Sequence, residues 1–385
     1  MVEHRPTLEA EWSLLRAACS PHPEESAELE SSLVPSIRWD ALFPLAEQHG
    51  VLPLLYLALS GVESSVPEEQ MRRLKQMYQA NLHKALFLSR EFIRIADCLE
   101  AIGIDFLPYK GLALAEALYG DIALRQSGDI DLIIRLRDLG RIREAVGKIG
   151  YTPHTSLSQS EQDAYLKSGY ECAFDSALGH NLLEVQWAIQ PRFYAVDFQM
   201  DGLFERAVPT SVAGHGLKTP APEDLFIVLS LHAAKHAWGR LIWLCDLSRM
   251  AQCPSLNWRW IGSQAQRLGV VRIVRVGLLL AKWLLSDEVP AGVELNLPDD
   301  PQANGLAEKI ARTIIAGNGI DVESLDYFRL MVRLRERKAD QLRFLSRLAF
   351  TPGPGEWSAV RLPRALFPLY RLVRISRLAA RVVSG

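Results

Sequence analysis

Two aspartates in this sequence stand at a spacing that can hold a divalent cation. Asp129 and Asp131 flank one isoleucine in the segment Asp-Ile-Asp-Leu-Ile-Ile, which begins by alternating and is rich in isoleucine. This pattern predicts a β-strand, on which side chains two residues apart point to the same face. Carboxylate oxygens are the ligands that Mg²⁺ prefers, and the ion commonly shares them with substrate phosphates. The pair is therefore a candidate site for phosphoryl transfer, although two aspartates at an exposed strand end are also common.

The elements that must position this pair follow a definite order along the chain. Residues 103–109 predict a short strand, Gly111 opens a short helix that closes at Gly120, and Arg125 precedes the acidic strand. A glycine turn that opens a helix presents free backbone amides at the positive end of the helix dipole, which favours phosphate binding. The order strand, glycine turn, helix and acidic strand therefore raises the chance that the aspartates are functional.

The rest of the chain predicts an α+β fold. Helical spacing of apolar residues covers most of residues 7–100, and a helix is expected over 137–149. Residues 170–175 and 182–187 flank a turn and predict a β-hairpin. From about residue 200 onward the pattern is helical again. We expect a small mixed sheet flanked by N-terminal and C-terminal helical regions.

This order of parts resembles the nucleotidyltransferase superfamily that includes polymerase β and the antibiotic nucleotidyltransferases. More narrowly, the sequence resembles a bacterial family of uncharacterised nucleotidyltransferases. The segments that carry this narrower likeness are 110–121, Arg125, 128–132, 184–187, 231–238 and 243–247. The likeness extends over roughly residues 80–380, and its specific part is the block 107–134.

The resemblance implies a role for each matching residue. Asp129 and Asp131 match the two metal-binding carboxylates, and the implied cofactor is Mg²⁺, with Mn²⁺ as a substitute. Glu184 falls where the family has a third acidic residue, which would bind metal and help to deprotonate the acceptor hydroxyl. Gly111 matches the glycine that lets backbone amides approach the triphosphate. Alternatively, Glu184 is a solvated strand residue with no catalytic role.

Two positions depart from the family pattern. Leu112 stands where the wider superfamily has the serine of a Gly-Ser pair, so one phosphate-binding hydroxyl is missing, and Lys110 could supply a positive charge instead. Gln186 stands where a histidine is more familiar, and its amide cannot perform acid–base work.

Further residues are candidates for contact with the nucleotide. Lys235 suits the triphosphate as a compact cation on a helix behind the core. Arg125 would touch a phosphate or brace the acidic strand end, and Ser127 could instead cap local backbone. His232 and His236 lie four residues apart and could share zinc, but packing within the helices is the commoner role of such a pair. The full predicted nucleotide-binding set is Lys110, Gly111, Arg125, Ser127, Gly128, Lys235 and His236. Asp246 is expected to pair with Arg240 or Arg249.

The activity implied by the resemblance is transfer of a nucleoside monophosphate from an NTP, with ATP favoured, and release of pyrophosphate. The acceptor hydroxyl or phosphate could belong to a small molecule, a peptide, a protein or a tRNA. One alternative is a tRNA-directed enzyme, toxin-like or processing. Another is a degenerate nucleotide-binding scaffold, which Leu112 and Gln186 favour and which the retained acidic residues disfavour.

Composition bounds the class of protein. Hydrophobic residues make up 49% and charged residues 23% of 385, which is the balance of a globular protein with a sizeable core. Five cysteines without a C-x-x-C pair predict reduced thiols and a cytoplasmic location. The N-terminal segment has no signal-peptide core, and no apolar run reaches the ~18 residues of a membrane span.

The expected domains are an N-terminal helical region (1–100), a nucleotidyltransferase core (101–190), a C-terminal helical domain (191–350) and a basic C-terminal helix (351–385). Residues 331–385 hold twelve Lys/Arg against three Asp/Glu, which suggests an anionic partner. On the last helix, arginines including Arg371 and Arg374 fall opposite an apolar side. The helix would lie on a membrane, bind RNA, or pack on the body with its arginines solvated.

Overall fold

The computed structural model describes residues 8–20, 29, 31, 33, 35–285, 291–317, 319–322 and 324–384. Its α-helices are α1 (Glu9–Ala18), α2 (Trp39–Gln48), α3 (Leu52–Ser60), α4 (Glu68–Glu100), α5 (Leu112–Tyr119), α6 (Leu139–Lys148), α7 (Gln159–Ser168), α8 (Met200–Glu205), α9 (Pro222–Lys235), α10 (Leu241–Ala251), α11 (Trp258–Leu268), α12 (Val271–Leu285), α13 (Ala291–Asn296), α14 (Pro301–Ile315), α15 (Leu325–Arg333), α16 (Lys338–Phe350), α17 (Pro354–Ala359) and α18 (Tyr370–Ser384). Within the described residues, no helix is both long and apolar enough to cross a membrane.

A mixed five-stranded sheet lies among these helices. Its strands are β1 (Phe106–Pro108), β2 (Ile130–Ile134), β3 (Thr152–Pro153), β4 (Glu171–Ser176) and β5 (Gly179–Gln186), in the spatial order β1-β2-β5-β4-β3. The β2–β5 pair is parallel and the other pairs are antiparallel. The expected α+β fold with a small mixed sheet and flanking helices is confirmed.

The two faces of the central strand β2 belong to different cores. Ile130, Leu132 and Ile134 are buried in a cluster with residues of α4 and α6, whereas Ile133 is buried in a cluster dominated by α1–α3 and the helices after residue 220. Side chains alternate along a strand, so Asp131 shares the face of Ile133. The acidic side chains therefore lie between the sheet and the C-terminal helices.

The predicted elements around the site are present with small shifts of their ends. The helix expected between Gly111 and Gly120 is α5, and the predicted hairpin is β4–β5. The acidic strand begins at Ile130, so Asp129 is the last residue before it. All five cysteines are free, as expected.

A second hairpin was not expected from the sequence. Strands β6 (Val208–Val212) and β7 (His215–Thr219) pair antiparallel in the region predicted to be helical, so that prediction is wrong there. The turn residues Ala213 and Gly214 both have positive φ, 52° and 78°. Positive φ at both turn residues matches the right-handed twist of paired strands, and alanine rarely adopts it. The sequence therefore gave only a weak turn signal.

The last helix also differs from its prediction. Arg374 and Arg377 face the body and pair with Glu356, and their side chains are 14% and 36% exposed. Leu372, on the predicted packing side, is 62% exposed. The expectation of solvated arginines is wrong for this pair because buried Glu356 offers both guanidinium groups a carboxylate.

Candidate active site

The turn at Gly111 brings the segment before α5 against the acidic strand. Gly111 has φ +55° and ψ −125°. Positive φ favours glycine, which has no Cβ. A Cβ at this position would lie 3.3 Å from the carbonyl oxygen of Asp129 and 3.6 Å from Oγ of Ser127. Backbone conformation and close approach thus both favour glycine here.

Lys110 and Asp131 form a buried ion pair beside this turn. The Lys110 Nζ lies 2.6 Å from Oδ1 of Asp131, and the two side chains are only 9% and 3% exposed. Burial by itself would lower the pKa of Lys110, but the charge and hydrogen bond of Asp131, together with Tyr109 and Asp129, outweigh burial and raise the pKa. Lys110, Asp129 and Asp131 together line a small cavity of about 10 Å³. Lys110 and the two predicted aspartates therefore lie together around one small cavity.

Asp129, just before β2, and Glu184 on β5 complete the acidic group. The parallel register sets Glu184 beside Asp131 on the neighbouring strand. Burial and the charge of Asp131 raise the pKa of Asp129. Burial, Asp131, Glu171 and Asp129 raise the pKa of Glu184. Within the described part of the chain, neither carboxylate makes a hydrogen bond or an ion pair.

This set of oxygens suits a hard divalent cation, because crowded carboxylates raise one another's pKa and a cation between them relieves the repulsion.

Two other clusters of side chains also bring metal-binding atoms together. Among the described residues, two groups have three such atoms within 4.8 Å of one another: His154, Asp175 and His180, and Asp97, Glu100 and His215. The set Asp129, Asp131 and Glu184 is not gathered that closely.

A hydrogen-bond chain next to Glu184 was missed by the sequence reasoning. The hydroxyl of Tyr109 donates to Oε1 of Gln186 at 2.6 Å, and Nε2 of Gln186 donates to Oε2 of Glu171 at 3.3 Å. Strand β4 sets Glu171 opposite Gln186, on the face that also carries Glu184. Pairing the predicted hairpin residue by residue could have found Glu171. Tyr109 gave no such signal.

Lys235 reaches the same acidic face from the end of α9. Its Nζ donates to the hydroxyl of Tyr170 at 3.1 Å and lies 4.7 Å from the centre of that ring. Burial lowers the pKa of Lys235, and Glu171, Glu184 and Asp131 oppose that shift. The predicted triphosphate lysine is therefore within electrostatic reach of the carboxylates.

The histidines near Lys235 pack as aromatic rings. The ring centres of His232 and His236 are 4.9 Å apart, and each ring lies about 5 Å from Trp243 (5.3 and 5.2 Å). His236 follows the last residue of α9. Burial, helped by the charge of Lys235, lowers the pKa of His236 to about 3. Packing against a tryptophan accounts for this pair.

Arg125 is held by the helical side of the molecule. Its Nε and Nη2 donate to both carboxylate oxygens of Asp246 at 2.9 to 3.2 Å, and Tyr119 also donates to Asp246. The expected pairing of Asp246 with Arg240 or Arg249 is wrong, because Arg125 lies against α10 and takes both oxygens. Of the two roles considered for Arg125, the structure supports bracing of the segment before the acidic strand.

Ser127 and Gly128 lie in the loop between Arg125 and Asp129. Ser127 Oγ is buried and has no hydrogen-bond partner in the described part of the chain, whereas Gly128 is exposed. An unpartnered buried hydroxyl is uncommon, because the lost hydrogen bond to water is not replaced. This hydroxyl faces the Gly111 turn, where the predicted phosphate-binding amides lie.

One of three comparisons with known proteins matches the part of the chain that contains this site. A family model described as an uncharacterised nucleotidyltransferase matches residues 35–286, which is more than half of the chain. The matched stretch contains Lys110, Asp129, Asp131, Glu184 and Lys235. No curated protein and no solved structure matches the chain significantly. From the family match, the chain belongs to the uncharacterised nucleotidyltransferase family.

Proposed function

We propose that the protein transfers a nucleoside monophosphate from an NTP to an acceptor hydroxyl or phosphate and releases pyrophosphate. The observation that carries this proposal is that, among the residues the structure describes, Asp129 and Glu184 have no hydrogen-bond or ion-pair partner. Both lie beside the buried Asp131 in a chain of a nucleotidyltransferase family. Buried like charges are costly unless a proton or a cation joins them. A site with several such carboxylates is suited to bind a cation that enters together with the nucleotide substrate.

The cation we propose is Mg²⁺, with Mn²⁺ as a substitute. Asp129, Asp131 and Glu184 would hold it, because all three offer hard oxygen ligands. Asp131 and Glu184 are paired on neighbouring strands, and Asp129 immediately precedes the strand of Asp131. When bound, it would neutralise charge that develops on the phosphates of the NTP.

The phosphates themselves would be held by the turn at Gly111. Its backbone stands at the start of α5, where amides are free and the helix dipole favours an anion. Lys110 adds a buried positive charge. Ser127 has the unpartnered hydroxyl that could replace the serine lost at Leu112.

Proton transfer would fall to Glu184. In the reaction, the acceptor oxygen attacks the α-phosphorus, the bond from that phosphorus to the bridging oxygen of the pyrophosphate breaks, and the acceptor hydroxyl loses its proton. Burial and the charges of Asp131, Glu171 and Asp129 raise the pKa of Glu184 to about 8, against the opposing charge of Lys110. The ionised carboxylate is therefore a stronger proton acceptor than an ordinary glutamate, and it can take the proton of the acceptor hydroxyl. The chain from Tyr109 through Gln186 to Glu171 would hold the face of the sheet in place. In this family most of the rate would come from positioning and charge stabilisation.

Isothermal titration with ATP, GTP, CTP and UTP in Mg²⁺ tests the proposal. Wild type is compared with Asp129→Asn and Glu184→Gln, which keep side-chain size and remove charge. Asp326→Asn, at a side chain that is 74% exposed, is the matched control. We expect at least tenfold weaker Mg²⁺-dependent binding of one NTP in the two site variants and unchanged binding in the control. Folded wild type that binds no NTP would disprove the proposal.

A degenerate nucleotide-binding scaffold is the second candidate. The observation that favours it is Lys110, whose ammonium already neutralises Asp131 beside a cavity of only about 10 Å³. A scaffold would bind NTP equally well with Mg²⁺ and with a chelator, whereas the enzyme would need the metal.

A further inference from the structure

A larger cavity adjoins the acidic face on the side of Lys235. Its volume is about 440 Å³, and Lys235 and Tyr170 line it. Aromatic side chains form much of its wall: Tyr165, Phe193, Tyr194, Tyr327 and Phe328. We call this space the aromatic cavity. Its volume falls within the ~300–1000 Å³ of typical small-molecule sites.

The aromatic cavity and the acidic site share a boundary. Tyr170 lies in the cavity wall, and the next residue is Glu171 of the hydrogen-bond chain beside Glu184. Lys235 donates a hydrogen bond to the Tyr170 hydroxyl, and the charges of Glu171 and Glu184 act to raise its pKa. A molecule in the cavity could therefore present one end to the carboxylates past the Lys235–Tyr170 pair.

The far wall of the cavity carries excess positive charge. Arg374 and Arg377 both pair with the single carboxylate of Glu356, at 3.2 and 2.7 Å. A neighbouring cavity of about 660 Å³ shares Ser168, Thr351 and Pro352 with it. Its lining has five basic residues and one acidic residue: Lys167, Arg192, Arg347, Arg364, Arg371 and Asp163. The chemistry favours an occupant with an apolar, ring-containing body and an anionic group.

We propose that the aromatic cavity binds the body of a small acceptor with that chemistry, and this rests on the proposed nucleotidyl transfer. Aromatic rings stack on flat apolar groups, and the nearby arginines suit an anionic group. Residues of α7, α15 and α18 and the segment 351–356 form the wall, in which the hydroxyls of Tyr194 and Tyr327 hydrogen-bond to each other. A walled space of this size fits a small molecule better than a tRNA, which needs an extended basic surface.

The test uses 8-anilinonaphthalene-1-sulfonate, which joins aromatic rings to an anionic sulfonate. Gly353 lines the aromatic cavity, and a Cβ there would meet no atom within 4 Å, so Gly353→Phe adds a ring to the cavity wall at a position with room for its Cβ. Gly216 in β7 is likewise open and lies away from the cavity lining, so Gly216→Phe is the matched control. Phe328→Ala, which removes a half-buried ring from the wall, is the second variant.

Fluorescence titration of the full chain should give one dye per protein. We expect at least tenfold weaker dye binding in Gly353→Phe and in Phe328→Ala, and a change below twofold in Gly216→Phe. Equal dye binding in all four proteins, or none in wild type, overturns the proposal. So does loss of unfractionated tRNA binding in Gly353→Phe with dye binding intact.

Nucleotide binding separates this proposal from the function on which it rests. Gly353→Phe should still bind NTP with Mg²⁺ as wild type does, because Gly353 is not among the residues around Asp129. Dye binding that persists in Asp129→Asn, whose NTP binding is lost, supports a separate acceptor cavity. If wild type binds the dye at the cavity but binds no NTP, the cavity stands as a binding site and its assignment to an acceptor fails with the function.

Discussion

Nη2 of Arg125 lies 2.9 Å from Oδ2 of Asp246, and both side chains are almost fully buried. The pair joins the segment before the acidic strand to α10, across 121 residues of sequence. The Tyr119 hydroxyl gives Asp246 a further hydrogen bond. Because the pair lies between the sheet and the helical half, it fixes the position of Asp129 relative to Lys235.

Asp246→Ala should destabilise the protein strongly. The substitution leaves the Arg125 guanidinium buried without its partner, and breaking a buried pair in this way costs about 3–5 kcal/mol. Chemical unfolding in urea, followed by circular dichroism, measures the loss. Asp326→Ala removes one partner of the exposed pair Arg329–Asp326 and should cost less than about 1 kcal/mol. Similar urea midpoints for both variants would contradict the bracing role of Asp246.

Gly111→Ala should weaken both stability and nucleotide binding. Alanine at φ +55° and ψ −125° is strained, and its Cβ would press on the Asp129 carbonyl at 3.3 Å. We expect a loss of about 1–3 kcal/mol in the free energy of unfolding. Gly140→Ala is the control, since that helical glycine has open space and should gain about 0.5–1 kcal/mol. An unchanged affinity for NTP in Gly111→Ala would rule out a phosphate-binding turn.

Glu184→Gln should raise the melting temperature of metal-free protein while it abolishes Mg²⁺-dependent NTP binding. The folded pKa of Glu184 lies above its ordinary 4.5, so its ionisation opposes folding. The contribution of Glu184 to the free energy of unfolding is full below pH 4.5 and is lost as the pH rises. The melting temperature of Glu184→Gln should therefore exceed that of wild type by more at higher pH. Differential scanning fluorimetry with and without Mg²⁺ measures both effects. A larger Mg²⁺-induced shift in the variant than in wild type would contradict a metal-binding role.

His49 should make the protein sensitive to mild acid. This buried ring accepts a hydrogen bond from the Leu241 amide, and burial and the charge of Arg240 lower its pKa from 6.5 to about 4. A depressed histidine pKa means that protonation favours unfolding, so stability is full above pH 6.5 and falls towards pH 4. The difference corresponds to roughly 3 kcal/mol.

His49→Asn keeps an acceptor for the Leu241 amide and has no titrating ring. Its urea midpoint should therefore fall less between pH 6.5 and 4 than that of wild type. His83→Asn, at an exposed position on α4, should fall as wild type does. Equal pH profiles for all three proteins would exclude His49 as the acid-sensitive group.

The prediction from sequence succeeded where geometry is local. The acidic strand was predicted and begins at Ile130, one residue after Asp129, and two glycines set the ends of α5. These features depend on backbone conformation within a few residues, which residue types determine. The hairpin at 208–219 was not predicted, because its turn needs a positive φ at Ala213. Alanine seldom adopts that conformation, so the residue types there do not indicate the turn.

Partners far apart in the chain could not be predicted in this way. Ser127 was selected from the sequence, but only the structure shows that its hydroxyl is buried with no partner among the described residues. Gln186 was predicted as a weakness, and the structure places it between Tyr109 and Glu171. The predicted domain limits and the roles of the nucleotide-binding residues stay predictions.

The sequence alone determined the acidic strand, the glycine turn and the family. The tertiary structure decided which charges meet: Lys110 with Asp131, Arg125 with Asp246, and Lys235 with Tyr170. It also decided that Arg374 and Arg377 face Glu356 and line the aromatic cavity. The physical reason is that strand and turn geometry follow from neighbouring residues, whereas an ion pair or a cavity wall exists only when packing of the whole chain brings distant segments together.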